Sequence, residues 1–320
     1  MLDSTQGLQQ QIEILWTETG ARQDLVKVMR LGLLSQQSTN NGTDGGLSRL
    51  SRLPGLCCQA AGGEAQWANR LTVAWLLFYA AADLMDSVQD QDTPDPWWAE
   101  QGPAAALNAA SGLYFSASWA LNDLYNHDIS HNTAADIVNN FYESLMVMSS
   151  GQQSELTTPE PTLEQYWQGV ESKSGTFFYL ACRGGARLAT DETGRLENFG
   201  QFGHHLGLVI QLLDDLDDVR SPEGTGEPGQ KPALARSLPV VYALEVFPTA
   251  QRKRLRELLR VAADDTLAAH QAIDLIDQSG AAIYIMAEVE RHKALASKSL
   301  ENTESISPAK EKLLSLLQGL

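Results

Sequence analysis

The chain has 320 residues, 43% of them hydrophobic, with ordinary glycine and proline counts, enough to bury a large core in one domain or at most two. Forty acidic residues against 23 basic ones leave a formal charge of −17, which repels nucleic acid and anionic membrane surfaces, so an anionic substrate needs a metal or a local basic patch. Cys57 and Cys58 are badly placed to pair with each other, Cys182 stands alone in the sequence, and the start MLDSTQGLQQQIEILW lacks the pattern of a signal peptide, so a reduced, cytoplasmic protein is expected.

Alternation of period two is nearly absent, and helical spacing dominates. Helices are expected in chain order at about 8–36, 47–61, 65–90, 104–127, 132–150, 163–189, 196–220, 234–246, 250–278, 280–298 and 307–319, with ends good to ~2–4 residues. Between them fall STNNGTDGG at 38–46, DTPDPWW at 92–98, TTPEPT at 157–162 and SPEGTGEPGQKP at 221–232. None is long enough to link two domains, so a single all-α domain over 1–320 is expected. The segments LTVAWLLFYAAADLM and FGHHLGLVIQLL are apolar around most of their circumference, as central helices are. The most apolar run, about Leu71 to Ala82, is shorter than the ~20 residues that span a bilayer, so no stable membrane anchor is expected.

The stretch QLLDDLDD, 211–218, ends the second of these apolar helices with four aspartates. Asp214 and Asp218 share a helical face, Asp215 sits beside them, Gln211 precedes Asp214 by three, and Gly207 leaves room for something close to the backbone. Clustered carboxylates repel one another and the helix C-terminus, so they call for a cation; the plain alternative is a solvated acidic helix end. A second cluster, Asp83, Asp86 and Asp90, ends the first apolar helix at spacings of three and four. Oxygen ligands of this kind suit Mg²⁺, held by one or two carboxylates plus substrate phosphates, and no cysteine or histidine spacing favours zinc. His204 and His205 read as core histidines bonded to a neighbour. The P-loop-like GTGEPGQK at 224–231 and the EF-hand-like DQDTPD at 90–95 lack the residues that either motif needs.

Taken together, these residues resemble the trans isoprenyl diphosphate synthases, or polyprenyl synthetases. QLLDDLDD with Gly207 is similar to the second DDxxD motif of that family, matched by Asp214, Asp215 and Asp218; DSVQD at 86–90 stands in the place of the first, with Ser87 at the second aspartate. GQQSEL at 151–156 resembles GQxxDL with Glu155 for aspartate, Tyr166 and KSG at 173–175 resemble the helix whose lysine contacts the allylic diphosphate, and GQKP at 229–232 with SLPVVYAL at 237–244 resemble the loop and helix that follow. The matches run in order from about residue 50 to 245.

The resemblance implies a single isoprenoid synthase fold, with central apolar helices around a deep cavity across which the two aspartate motifs face each other. It implies Mg²⁺ ligands Asp86, Asp90, Asp214, Asp215 and Asp218, diphosphate contacts from Lys173, Gln211, Lys231 and Arg236, and a pocket lined by Phe78, Tyr79, Ala81 and Ala82. The catalytic set would be Asp86, Asp90, Asp214, Asp215 and Lys173, the substrates an allylic isoprenyl diphosphate and isopentenyl diphosphate, and the assembly a homodimer. Two departures stand out. The slot that holds an arginine pair in the family reads DTPDPWWAEQG here, and the basic N-terminal signature is missing, Arg49 and Arg52 falling out of register before Pro54. In the family these residues hold isopentenyl diphosphate, so the alternatives are a class I terpene synthase, prenyl transfer to another acceptor, or a non-catalytic subunit of a heteromer.

Overall fold

The computed structural model describes residues 5–38, 50–89, 101–126, 129–220, 236–262, 265–304 and 307–320. These residues form helices with no strand among them: α1 Thr5–Glu18, α2 Gln23–Ser38, α3 Leu53–Ala60, α4 Asn69–Gln89, α5 Pro103–Asn122, α6 His131–Thr157, α7 Leu163–Val170, α8 Thr176–Arg187, α9 Thr193–Arg220, α10 Leu238–Val246, α11 Thr249–Val261, α12 Thr266–Gln278, α13 Ala281–Glu301 and α14 Pro308–Gln318. The chain is all-α, as the periodicity predicts.

Three expected helices are divided. The segment expected at 8–36 breaks at Gly20, which takes φ +66° and so ends α1 in the left-handed conformation that glycine adopts without penalty. The segment expected at 250–278 is two helices, because the Asp265 side chain accepts from the amides of Leu267 and Ala268 and starts α12 afresh. The segment expected at 163–189 is interrupted by one π turn, Glu171–Gly175, between α7 and α8. Its start is set by a capping box, in which Thr162 and Gln165 each satisfy the other's backbone amide.

Packing divides the chain into two compact units, each assembled from separated segments. The first comprises Met1–Glu143, Tyr179–Gly203 and Lys298–Gly319. Its axis is α4, where Leu71, Val73, Ala74, Leu77 and Ala81 are fully buried. The stretch Ala65–Gln89 is long and apolar enough to cross a membrane by length and composition, longer than the run counted from the sequence, but 61% of its apolar window is buried inside the fold. Around it, Trp16 of α1 donates its indole N–H to Ser116 of α5 at 2.9 Å. Arg187 of α8 binds Asp136 of α6 at 2.8 Å. All three cysteines are free and buried, and the Cys57 thiol bonds Cys182, so Cys182 is not alone in space.

The second unit comprises Ser144–Phe178, His204–Ser297 and Leu320. One core joins Tyr166 and Val170 of α7 to Leu208, Leu212 and Leu216 of α9, Leu238 of α10 and Val289 of α13. Another joins Val240 and Ala243 of α10 to Leu255 and Leu258 of α11 and to Ala272 and Ile276 of α12.

Candidate active site

In the second unit, the end of α9 is built around Asp215, which is only 5% exposed. Its Oδ2 accepts from the Tyr166 hydroxyl at 2.7 Å and from the backbone N–H of Leu238 at 2.6 Å, and its Oδ1 accepts from the Gln211 amide at 2.9 Å. Three donors satisfy most of what a carboxylate can accept, which offsets the cost of burying it. The Leu238 amide is the first of α10, whose own Ser237 makes no side-chain cap, so Asp215 caps that helix from a distance and meets the positive end of its dipole. Burial first, and then the charge of Asp215, push the Tyr166 phenol well above its usual range, so it stays a proton donor.

The network continues outward. Gln211 accepts from the Ser174 hydroxyl at 2.8 Å, and Ser174 follows Lys173, whose ammonium pairs with Glu155 at 2.7 Å. Lys173 and Ser174 both lie on the π turn, where the extra residue turns side chains that an unbroken helix would aim elsewhere. Two close approaches seat that turn. A Cβ on Gly207 of α9 would stand 2.3 Å from the Ser174 carbonyl oxygen, and one on Gly151 of α6 would stand 2.8 Å from the Ser172 Cβ. The open space expected beside Gly207 is thus filled by the protein's own backbone. Asp214 and Asp217, in contrast with Asp215, are exposed. Arg236 is half-buried, two residues before the Leu238 amide that holds Asp215. Lys231 and the Asp218 side chain lie outside the described residues.

Behind this network, the His205 and His292 Nδ1 atoms stand 3.0 Å apart, and Arg291 reaches the other ring nitrogen of His292 at 2.8 Å. A guanidinium only donates, so neutral His292 carries its proton on Nδ1 and donates it to His205. Burial pushes His205 down to about 4 and His292 to about 3. His205 is a bonded core histidine, as its sequence position suggests.

In the first unit, α4 ends with Asp83 exposed and Asp86 half-buried; Asp90 lies outside the described residues. Tyr79, Asp83 and Asp86 fall at i, i+4 and i+7, so the half-buried Tyr79 shares a stripe with the carboxylates. Phe78, 2% exposed, packs edge-on against Tyr114 of α5 at 5.6 Å and against Phe141 of α6 at 5.5 Å. Burial first, and then the charge of Asp86, raise the Tyr114 phenol, which ties this aromatic group to the first carboxylate cluster. Ala81 is fully buried and Ala82 half-buried.

Among the described residues, no three histidine, cysteine, aspartate or glutamate side chains converge as a ready-made metal cage. The donors that are present still fit Mg²⁺ in kind: Asp86 and Asp214 offer carboxylate oxygens at helix ends, and Mg²⁺ takes one or two of these and completes its shell with waters and phosphate. Asp215, with three donors already on it, is better suited to hold the helix end than to bind a cation.

The sequence motifs include Asp215, Gln211 and Lys173 and also Tyr166, Glu155, Ser174 and Leu238, but not the bonds between them. Tyr166, Glu155, Ser174 and the Leu238 amide complete the network from 49, 18, 37 and 23 residues away.

An all-α fold in which two apolar helices end in aspartate clusters is the isoprenoid synthase class of fold. The polyprenyl synthetase family matches residues 45–276, and the chain belongs to that family. Over 210 residues it is 27% identical to the geranylgeranyl pyrophosphate synthase of Penicillium ochrochloron, an alignment that takes in 63% of this chain and 55% of that one. The chain therefore spans little more than half the length of that relative. Its fold is similar to that of the geranylgeranyl pyrophosphate synthetase from Pyrococcus horikoshii Ot3, with a TM-score of 0.79 at 20% identity over 96% of this chain and 93% of that one. It is also similar to the geranylgeranyl pyrophosphate synthase from Corynebacterium glutamicum complexed with calcium and isoprenyl diphosphate, with a TM-score of 0.73 at 24% identity over 98% and 93%.

Proposed function

We propose that this chain is a Mg²⁺-dependent prenyltransferase that ionises an allylic isoprenyl diphosphate and joins the resulting carbocation to isopentenyl diphosphate. The observation that carries the reading is the network on Asp215, which leaves its neighbour Asp214 exposed at the end of a helix fixed by three hydrogen bonds. Asp86 and Asp90 in the first unit and Asp214 and Asp218 in the second are the proposed cation ligands, and the bonds of Asp215 fix the helix that carries Asp214. A magnesium ion held by these carboxylates would supply positive charge that favours departure of the diphosphate. Lys173, held by Glu155, adds a fixed ammonium for the same anion, with Arg236 and Lys231 as further contacts. Gln211, tied between Ser174 and Asp215, is a positioning residue. Phe78, Tyr114 and Phe141 give the allylic chain a dry aromatic wall, and an aromatic face offsets cationic charge by ~0.5–2 kcal/mol.

One observation favours a second reading, a class I terpene synthase or transfer to a neutral acceptor. From Leu71 to Ser172 the chain contains no lysine or arginine. Beyond Arg70, which stands at the opposite end of α4 from Asp86 and pairs with Asp123 at 2.9 Å, α4, α5 and α6 carry no lysine or arginine to meet a second diphosphate near Asp86. Mass spectrometry of products from geranyl, farnesyl and geranylgeranyl diphosphate with Mg²⁺ separates the two readings. A longer diphosphate formed only with isopentenyl diphosphate supports the first reading. A hydrocarbon or alcohol formed without it replaces that reading with the second, and no product from any mixture counts against both.

A further inference from the structure

Within a chain of net charge −17, α11 stands apart: Arg252, Lys253, Arg254, Arg256 and Arg260 crowd one helix with Glu257 as its only acid. Leu255 and Leu258 are buried against α10 and α12, which turns the charged face outward, with Lys253, Arg254, Arg256 and Arg260 exposed. Arg252 alone serves the fold, donating to the Glu245 and Phe247 carbonyls at the end of α10, at 3.3 and 3.2 Å. The other pairings are superficial: Lys253 to Glu257 at 3.8 Å, Arg256 to Glu160 at 3.0 Å, and Arg254 to the Gln271 amide oxygen at 3.0 Å. Exposed pairs of this sort contribute little and exchange readily for another anion. Aliphatic side chains flank both ends of the helix, with Val246 47% exposed, Val261 45% and Leu267, on the first turn of α12, 66%.

We propose that this face docks on an anionic lipid surface. A cationic helix flanked by exposed aliphatics matches the headgroup layer, where basic residues meet acidic lipids and short apolar chains reach the acyl boundary. A nucleic acid is the poorer partner, because α11 and α12 carry no phenylalanine, tyrosine or tryptophan, and His270 is their one ring on which a base could stack. The acidity of the remaining chain does not forbid docking, since charges beyond a Debye length of roughly 8 Å are screened at physiological ionic strength. This inference is independent of the catalytic reading.

Co-sedimentation of the full chain with vesicles tests it. The protein is expected to sediment with vesicles of phosphatidylglycerol and phosphatidylcholine, not with phosphatidylcholine alone, and to be released by salt. The triple variant Lys253→Glu, Arg254→Glu, Arg260→Glu spares Arg252 and Arg256, and its partition should fall by more than about tenfold. If that variant does not fold, the salt titration of the unaltered protein reads the same interaction. No sedimentation with acidic vesicles, sedimentation indifferent to salt or to charge reversal, or retention on heparin without vesicle binding would overturn the proposal.

Discussion

Asp214 and Asp215 are adjacent in the chain and opposite in circumstance: one is exposed, and the other is buried under three donors. Their substitutions should therefore separate. Asp215→Ala strands the Tyr166 hydroxyl and the Leu238 amide, which should cost about 3 kcal/mol and lower the melting temperature markedly. Asp214→Ala should leave the melting temperature within a degree or two of the parent's while lowering turnover by about two orders of magnitude or more, as for the loss of a charge-stabilising group. Calorimetry beside a turnover assay checks both. The sequence shows why both aspartates stand out, since four acids follow a long apolar stretch, but it does not distinguish them. Burial of Asp215 is created by α7 and α10, whose contributions come from distant parts of the chain.

At the scale of elements, the π turn 171–175 is the feature that sequence conceals. VESKSGT has no proline and its one glycine, Gly175, does not end the helix; the extra residue arises where Gly207 and Gly151 let α9 and α6 come within contact of the turn. Gly207→Ala should cost about 1–3 kcal/mol by overpacking, because the obstacle is backbone that cannot rotate away, and it should disturb Lys173 as well; thermal melts read the first effect and KM for the allylic diphosphate the second. The helix divisions at Gly20 and Asp265 were more legible, since glycine and aspartate are known terminator and cap residues, although the apolar period masks both. The His205–His292 pair gives a pH dependence. Both are held neutral in the fold, with values near 4 and 3, while an unfolded histidine takes its proton near 6.5. Between those values the unfolded chain binds more protons, so stability should decline as pH falls from about 6.5 toward 4. A melting temperature measured from pH 7 to pH 4 should follow that slope, and His205→Asn should flatten it.

For the whole molecule, the all-α architecture was readable because helical periodicity runs through nearly every segment, and the aspartate clusters because charge is expensive at the end of an apolar helix. Two compact units were not readable, since their boundaries fall inside α6, α8, α9 and α13 rather than in a linker. Homodimerisation, expected from the family resemblance, would cover Phe115 and Trp119, 74% and 55% exposed one turn apart on α5. If it forms a dimer through that face, the protein should sediment as a dimer in analytical ultracentrifugation and Trp119→Asp should shift it to the monomer.

The central claim is that the carboxylate-ended helices serve a Mg²⁺-assisted departure of diphosphate. Release of inorganic diphosphate from an allylic isoprenyl diphosphate, followed with isopentenyl diphosphate present and absent, tests it directly. The account predicts release with Mg²⁺, none after chelation, and little from Asp214→Ala. Absence of release from every allylic substrate, or release that persists without the metal and with Asp214 replaced, would contradict it.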